Sequence, residues 1–498
     1  MSGRATGFVA QIARLARHSA IYAISTALQK LPGLLLMPIY TSFDYIPSFA
    51  DYADVVTLYT FAAFMNFVYV YGMDSALMRY FFLGGKDRRT VFSSVFYVLI
   101  GTSLVATLLL TAGAEPLAGA LLYDADKAHL VRLLAFVLLF DALGNLPYLI
   151  LRAEERPLPF TAFKGLRFVL ELGFNVLFVV GMKLEVAGIL YTSLVVSILN
   201  FLIMLPVMWR YLGARLDMDL WREMVAFALP LLPHGVAFTT TEMIDRFLIP
   251  ALLDKDALAV YGASYKFGSV LLMIILAFRN AWQPFFLKAA DRPDARELYG
   301  RVLTYFVLGA GMVIAVGTLF IEDVLTFSWF GWSPLIQEPY WGGIPIIPVI
   351  LLSYGFYGIY LILTPGFYIR KKSMYMILFT GSAALANIAA NLILLPLLNS
   401  YWGAAWATLI AYAVMALTIL LVNRRIYPIP IDGRRLAAVA LVVCGAFLIQ
   451  YGWSPGLPVR LAAGALIPVI AWRGLLTAGE RTVLTGVIRR RLGRGTPT

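Results

Sequence analysis

Four basic residues lie inside long apolar stretches of the sequence. They are Lys30, Arg246, Lys266 and Arg279. A cation at the centre of a lipid bilayer costs about 2.5–3.5 kcal/mol even on a lenient scale, which disfavours a lipid-facing position. Arg279 is nearest to the end of its stretch, where a long side chain is able to reach the membrane surface. Together, the four predict a water-lined internal site for an anion.

Five acidic residues occupy comparable positions in the apolar stretches: Asp74, Asp141, Glu171, Glu242 and Asp245. Glu242 and Arg246 are four residues apart, so they share one face of a helix and are able to pair. Two interpretations stay open. The carboxylates couple the protein to an ion, or they form internal ion pairs that hold the helices together. In the second case, Glu242 and Asp245 neutralise Arg246 and leave no field for an anion.

The composition explains why these charges need an internal position. The 498 residues are 61% hydrophobic and 14% charged, whereas soluble domains average about 45–50% apolar and about 25% charged residues. The excess predicts a membrane protein and argues against a soluble enzyme, a nucleic-acid binder or a secreted scaffold. One cysteine, Cys444, and three scattered histidines exclude an intramolecular disulfide and argue against a metal or cofactor site.

Fourteen apolar stretches are long enough to cross a bilayer, which needs about 20 residues per helix. They cover residues 15–41, 52–78, 90–113, 129–151, 159–182, 186–210, 222–252, 257–284, 299–321, 344–369, 374–397, 402–423, 436–453 and 457–475. We therefore expect an all-α polytopic membrane protein with fourteen transmembrane helices.

Basic residues alternate between the connections, as the positive-inside rule requires. Alternate connections contain basic clusters, and the connections between them contain few basic residues. Examples of the basic connections are Arg88-Arg89, Arg370-Lys371-Lys372, and the connection with Arg152, Arg156, Lys164 and Arg167. The pattern predicts that both termini are cytoplasmic. The tail beyond 476 contains Arg489-Arg490-Arg491, which is typical of an anchor to anionic lipids.

Helix breakers concentrate on the first and seventh stretches, at Pro32, Gly33 and Pro38, and at Pro230, Pro233, Gly235 and Pro250. Interrupted helices at matching positions of two halves are typical of transporters. Pro38 aligns with Pro250, and Arg79 aligns with Lys288, which indicates a repeat of six helices. The predicted organisation is a cytoplasmic N-terminus (1–14), an N-lobe (15–211), a linker (212–221), a C-lobe (222–426), two further helices (434–476) and a basic tail (477–498).

Several runs resemble one membrane-protein family. Three runs resemble the seventh and eighth helices of bacterial polysaccharide flippases. They are Asp245-Arg246-Phe247-Leu248-Ile249-Pro250, Val260 to Phe267, and Ala281 to Phe286. This family belongs to the MOP superfamily with the multidrug MATE exporters and the lipid II flippase. Pro38 to Tyr40 and Gly72 to Phe81 are similar to its first two helices. Asn387, Asn391 and Gly403 to Thr408 are similar to its eleventh and twelfth helices.

The resemblance implies two six-helix lobes in a V, with two extra C-terminal helices, in the bacterial inner membrane. It implies a flippase, not an enzyme, which moves a polyprenyl-pyrophosphate-linked oligosaccharide for O-antigen, capsule or exopolysaccharide assembly by alternating access. The implied partners are this glycan lipid and membrane lipids. A polysaccharide polymerase and its chain-length machinery are candidate protein partners. In this scheme Lys30, Arg246, Lys266 and Arg279 bind the substrate.

Two other functions stay open. An ion-coupled multidrug or small-molecule antiporter of the same superfamily needs an acid-rich cavity, which Asp74, Asp141, Glu171 and Glu242 would supply. A membrane glycan polymerase needs acid–base carboxylates, for which Asp51 and Asp54 in the first outer loop are candidates. No long outer domain is present to hold a glycan acceptor, which argues against the polymerase.

The topology can be tested with cysteine reporters at Gly84 and Lys371, which the basic loops place in the cytoplasm. We expect neither reporter to react with a membrane-impermeant reagent added to intact cells. Labelling of either position from outside would contradict the predicted topology.

Overall fold

The computed structural model describes residues 31–83, 85–154, 156–328, 333–372, 374–453, 455–470, 472–473 and 481. Its regular elements over these residues are helices, with no strand, which confirms the predicted all-α fold class. Lys30, the predicted N-terminal segment 1–14 and the basic tail 477–498, apart from residue 481, lie outside the described residues.

Twenty-one α-helices lie within the described residues. They are α1 Leu31–Leu35, α2 Met37–Tyr40, α3 Phe49–Val70, α4 Met73–Leu83, α5 Arg88–Ala112, α6 Ala114–Leu122, α7 Ala128–Ala153, α8 Pro157–Asn175, α9 Glu185–Trp209, α10 Met218–Ala228, α11 Leu232–Met243, α12 Asp245–Leu252, α13 Lys255–Gly268, α14 Val270–Ala289, α15 Ala295–Thr326, α16 Ile347–Leu363, α17 Pro365–Ile369, α18 Tyr375–Leu398, α19 Trp402–Ile426, α20 Gly433–Phe447 and α21 Leu457–Ile470. Tighter or wider helical turns occupy Ala125–Lys127, Val176–Gly181, Leu229–Leu231, Glu338–Ile346 and Leu448–Trp453.

Polar caps mark where several of these helices begin. Ser48 and Asp254 each accept a hydrogen bond from the backbone N–H three residues later, at 3.1 and 2.6 Å, which satisfies a donor that the first turn leaves free. Asp87 caps α5 in the same way, and the backbone N–H of Thr90 lowers the pKa of the Asp87 carboxyl. These caps fix the ends of otherwise apolar helices.

The predicted helix breakers interrupt the seventh segment. Pro230 lies in the tight turn between α10 and α11, Pro233 lies in the first turn of α11, and α11 ends just before α12 begins. The second segment is also broken, because Tyr71 and Gly72 adopt positive φ angles of 34° and 78° between α3 and α4. Helix breaks therefore lie within both the second and the seventh segments.

Eleven helical stretches among the described residues are long and apolar enough to cross a bilayer. They correspond to the predicted segments two to four and six to thirteen. The fifth segment contains α8, which carries three charged residues, Lys164, Arg167 and Glu171. The fourteenth contains α21, which is 14 residues long, and the first is described only from Leu31. The count of fourteen crossings stays a prediction.

The helices pack in two groups. In the N-terminal bundle, α7 packs against α3, α5 and α9, and α8 packs against α9. In the C-terminal bundle, α19 packs against α16 and α18, α18 packs against α11, and α15 packs against α16. Gly403 permits the close contact of α18 and α19, since a Cβ atom there would lie 2.6 Å from the carbonyl carbon of Leu394. Helices α20 and α21 pack on the outside of α15.

The two faces of the molecule differ in the residues that connect the helices. We call the face that carries Lys86, Arg156, Arg292 and Lys371 the basic face. The opposite, distal face carries the turn Ala125–Lys127 and the start of α13. Both faces contain contacts between the bundles, and the functional groups lie along the interface between them.

Candidate functional site

Arg246 lies near the start of α12, in the interior of the C-terminal bundle. Its side chain is 11% exposed, and its Nη1 atom lies 3.4 Å from Oδ1 of Asp245. The same nitrogen donates to the backbone carbonyl of Glu242 at 2.5 Å. The guanidinium lies over the ring of Tyr265, 4.5 Å from its centroid. Asp245 therefore compensates part of the Arg246 charge, and the cation–π contact with the Tyr265 ring stabilises the guanidinium further.

Glu242 connects three helices of the C-terminal bundle. Its carboxylate accepts a hydrogen bond from Tyr354 of α16 at 3.0 Å and another from Tyr412 of α19. Tyr261 of α13 donates to the neighbouring Asp245. The sequence identified both acids, but not these tyrosines, because their contacts join residues more than 100 positions apart in the case of Glu242.

Lys266, on α13, lies where the C-terminal bundle meets the N-terminal bundle. Its ammonium group is 5.3 Å from the ring centroid of Tyr40 and 5.5 Å from that of Tyr52. Arg246 and Glu171 are the charged groups that act on it most directly. No carboxylate of the described residues forms an ion pair with Lys266. The structure thus places Arg246 and Lys266 near each other, while Lys30 lies outside the described residues.

Helix α8 contributes charges that the sequence interpretation assigned to a basic connection. Lys164 is only 5% exposed and its ammonium group lies 3.7 Å from the ring centroid of Tyr148. Arg167 pairs with Asp141 at 2.9 Å, and Ser197 donates to the same carboxylate at 2.8 Å. These positions correct the assignment of Lys164 and Arg167 to a surface loop.

The sequence itself indicates that Lys164 and Arg167 belong to a helix. Lys164, Arg167 and Glu171 follow the spacing i, i+3 and i+7, which places them on one face of a helix. Pro157 at the start of α8 is a favourable first helical residue. The Asp141–Arg167 pair agrees with the interpretation of internal ion pairs for Asp141.

Asp74 and Arg279 line two adjoining cavities on the side of the basic face. The larger has a volume of about 710 Å³, lies between the bundles, and reaches from Lys371 to Asp74 and Asn66. The smaller, about 230 Å³, lies within the C-terminal bundle and is lined by Arg279. Residues His234, Gly235 and Tyr368 line both cavities. The cavities form one vestibule, with several polar groups in a largely apolar lining, that is separate from the Arg246 cluster.

An ion cluster joins the bundles at the distal face. Asp54 of α3 is fully buried, and its two carboxylate oxygens each lie 2.5 Å from a lysine ammonium, that of Lys127 and that of Lys255. Lys127 also pairs with Asp51 at 3.2 Å. Lys255 belongs to the C-terminal bundle and donates to the carbonyl of Leu122. Because both oxygens of the Asp54 carboxylate pair with lysines, this group is poorly placed to act as an acid or base on a substrate.

Apolar contacts reinforce this distal seal. Tyr340 is fully buried against Phe49 and Tyr52, with ring centroids 4.8 and 5.8 Å apart. Gly262 of α13 lies so close to α3 that an added Cβ atom would be 2.9 Å from a methyl group of Val56. The distal half of the interface is therefore tightly packed, and the vestibule lies in the basic half.

Helix α10 bridges the bundles in the basic half. Tyr80 donates to Glu223 at 3.0 Å, and the Arg79 guanidinium lies 4.3 Å from the ring centroid of Phe227. In the part of the chain that the structure describes, no group of His, Cys, Asp and Glu side chains is placed to hold a metal ion.

Solved structures define the class of fold. The chain is similar to lipid II flippase MurJ in an inward closed conformation, with a TM-score of 0.72, 14% identity, and coverage of 95% of this chain and 99% of that chain. It is similar to an outward-facing multidrug resistance MATE family transporter of the MOP superfamily, with a TM-score of 0.59, 16% identity, and coverage of 86% and 96%. A MOP superfamily transporter from Pyrococcus furiosus gives a TM-score of 0.59, 15% identity and the same coverage. The chain has the fold of the MOP superfamily.

The family follows from the sequence itself. Residues 48–334 match the family model described as polysaccharide biosynthesis protein, and the chain belongs to this family. The comparison with curated proteins gives no match. The predicted resemblance to polysaccharide flippases of the MOP superfamily is confirmed at the level of family and fold.

The distal ion cluster predicts a specific effect of Asp54→Asn. Removing this buried carboxylate leaves two half-buried lysines without their shared partner, and breaking a buried pair costs about 3–5 kcal/mol. We expect the distal ends of the bundles to separate more often. The measurement is labelling of Val56→Cys, in a Cys444→Ser background, by an impermeant maleimide from the distal side. Labelling should rise at least threefold.

Asp44→Asn is the matched control, because Asp44 is an exposed acid of the same face. It should leave the labelling of Val56→Cys unchanged. Equal labelling in the Asp54→Asn and unsubstituted chains would show that the ion cluster does not hold the distal face closed.

Proposed function

We propose that this chain is a flippase of the bacterial inner membrane. Its substrate is a polyprenyl-pyrophosphate-linked oligosaccharide, which it moves from the cytoplasmic to the outer leaflet for assembly of an exported polysaccharide. The observation that carries the proposal is the position of Lys266 and Arg246. Lys266 lies at the interface between the bundles without an ion-pair partner among the described residues, and the Arg246 charge acts on it.

The physical argument starts from the charge of the substrate. A pyrophosphate cannot enter hydrocarbon without compensation, because transferring an isolated ion costs far more than a protein gains on folding. Two neighbouring cations in the interior provide that compensation. Asp245 neutralises Arg246 only in part, at 3.4 Å, and Lys266, on which the charge of Glu171 also acts, forms no ion pair among the described residues. The polyprenyl chain stays in the lipid between the bundles.

Alternating access follows from the two ends of the interface. The larger cavity of the vestibule, about 710 Å³, is the entry on the basic side, and the ion cluster of Asp54 closes the exit. Rocking of the two lobes (residues 15–211 and 222–426) about the broken second and seventh segments exposes Lys266 to each side in turn. In this proposal the basic face and both termini are cytoplasmic, and the lobes are related by a pseudo-two-fold axis along the membrane normal.

An ion-coupled antiporter is the second candidate. It is favoured by the acids in the interior, where Glu242 is buried with two tyrosine donors and Glu171 acts on Lys266. In a flippase, the same acids couple transport to an ion or hold the helices together. The two candidates differ in whether a neutral residue at Lys266 abolishes polysaccharide export.

We expect Lys266→Gln to abolish polysaccharide export while the protein accumulates and stays monodisperse. The reason is that Lys266 has no described ion-pair partner that the substitution would leave unpaired. Arg246→Gln removes the partner of the buried Asp245, so it should lower export and protein level together. The measurement is surface polysaccharide in a strain that depends on this chain, with protein level determined in parallel.

Lys288→Gln is the control, because Lys288 is an exposed lysine at the basic end of α14. It should export normally. Lys30→Gln combined with Arg246→Gln tests the cation that lies outside the described residues. Normal export by stably produced Lys266→Gln would remove the proposed site.

A further inference from the structure

The smaller part of the vestibule has the composition of a sugar-binding cavity. Six aromatic side chains line it, among them Trp282 of α14, Tyr357 of α16 and Tyr368 of α17, together with the polar groups of Arg279 and Gln283. We propose that this cavity binds a sugar ring of the translocated glycan, close to the pyrophosphate, when the substrate loads from the basic side. The proposal rests on the proposed function and adds a site for substrate selection.

Trp282 supplies the most specific observation. Its side chain is 3% exposed, and its indole N–H has no hydrogen-bond partner among the described residues. Buried donors are nearly always paired, and this one belongs to a side chain that lines the cavity, which favours a bound ligand as its acceptor. A sugar hydroxyl or ring oxygen is such an acceptor. The indole is held in place by Phe278 and Tyr299, with ring centroids 5.8 and 5.7 Å away.

The remaining polar groups also suit a sugar. Arg279 and Gln283 lie one turn apart on α14 and line the same cavity, where they present donors to hydroxyl or carboxylate oxygens. His234 is oriented by Thr380, whose Oγ1 lies 3.1 Å from its Nδ1. No acidic residue lines this cavity among the described residues. The cavity therefore favours a neutral or anionic sugar over a cationic drug.

The position of the cavity fits a loading site. Arg279 follows Lys266 by 13 residues, which corresponds to about 20 Å along a helix, in the direction of the basic face. The cavity of about 230 Å³ opens into the larger one of about 710 Å³ through His234 and Tyr368. A glycan that enters from the basic side meets this cavity before its pyrophosphate reaches Lys266. Selection thus precedes translocation.

The test compares binding of two lipids to the full chain in detergent by native mass spectrometry. One probe is undecaprenyl pyrophosphate without sugar. The other is the polyprenyl-pyrophosphate-linked oligosaccharide extracted from the cells that contain this chain. Gln283→Leu and Trp282→Phe should bind the glycan lipid at least fivefold more weakly than the unsubstituted chain does, and bind undecaprenyl pyrophosphate within twofold of it. Gln283 is exposed to the cavity, so its substitution does not depend on repacking.

Two controls separate the proposals. Trp406→Phe changes a 41% exposed tryptophan of α19 and should bind both lipids normally, whereas Lys266→Gln should lose both. If Gln283→Leu and Trp282→Phe bind both lipids normally, or weaken both equally, the sugar site is wrong and the flippase proposal stands. If the unsubstituted chain binds neither probe better than phosphatidylglycerol, the proposed function itself fails.

Discussion

A charge inside a bilayer must be compensated by the protein, and the arrangement of this molecule follows from that constraint. A residue such as Lys266 has no favourable lipid-facing position, so two helix bundles enclose it. Asp141 meets Arg167 and Asp245 meets Arg246 inside the bundles, while Asp54 meets two lysines at the distal face. Lys266 differs from these pairs because tyrosine rings surround it.

Much of the fold was predictable because hydrophobic length and basic connections depend on local sequence. Eleven of the predicted segments appear as helices that are long and apolar enough to cross a bilayer, and Pro230 and Pro233 lie where the seventh segment breaks. The charges of α8 are misplaced because three charged residues within one helix resemble a polar connection in hydropathy alone. The spacing of Lys164, Arg167 and Glu171 carried the missing information.

The site was less predictable because its contacts join distant parts of the chain. Asp51 and Asp54 were considered as acid–base carboxylates, but Lys255 approaches Asp54 from 201 residues away, which no local pattern indicates. The same holds for the vestibule, where α11, α14 and α17 bring His234, Trp282 and Tyr368 to one cavity. The sequence shows which charged residues lie inside apolar stretches. Only the fold shows which residues they pair with.

The central claim is that the charge of Lys266 carries the pyrophosphate across the interface. Its most direct test is translocation of the lipid-linked oligosaccharide in proteoliposomes, with Lys266→Gln and Lys266→Arg compared at equal protein density. The account predicts that Lys266→Arg keeps measurable translocation, because it preserves the charge, and that Lys266→Gln reduces translocation to the level of empty liposomes. Translocation by Lys266→Gln at the rate of the unsubstituted chain would contradict the account.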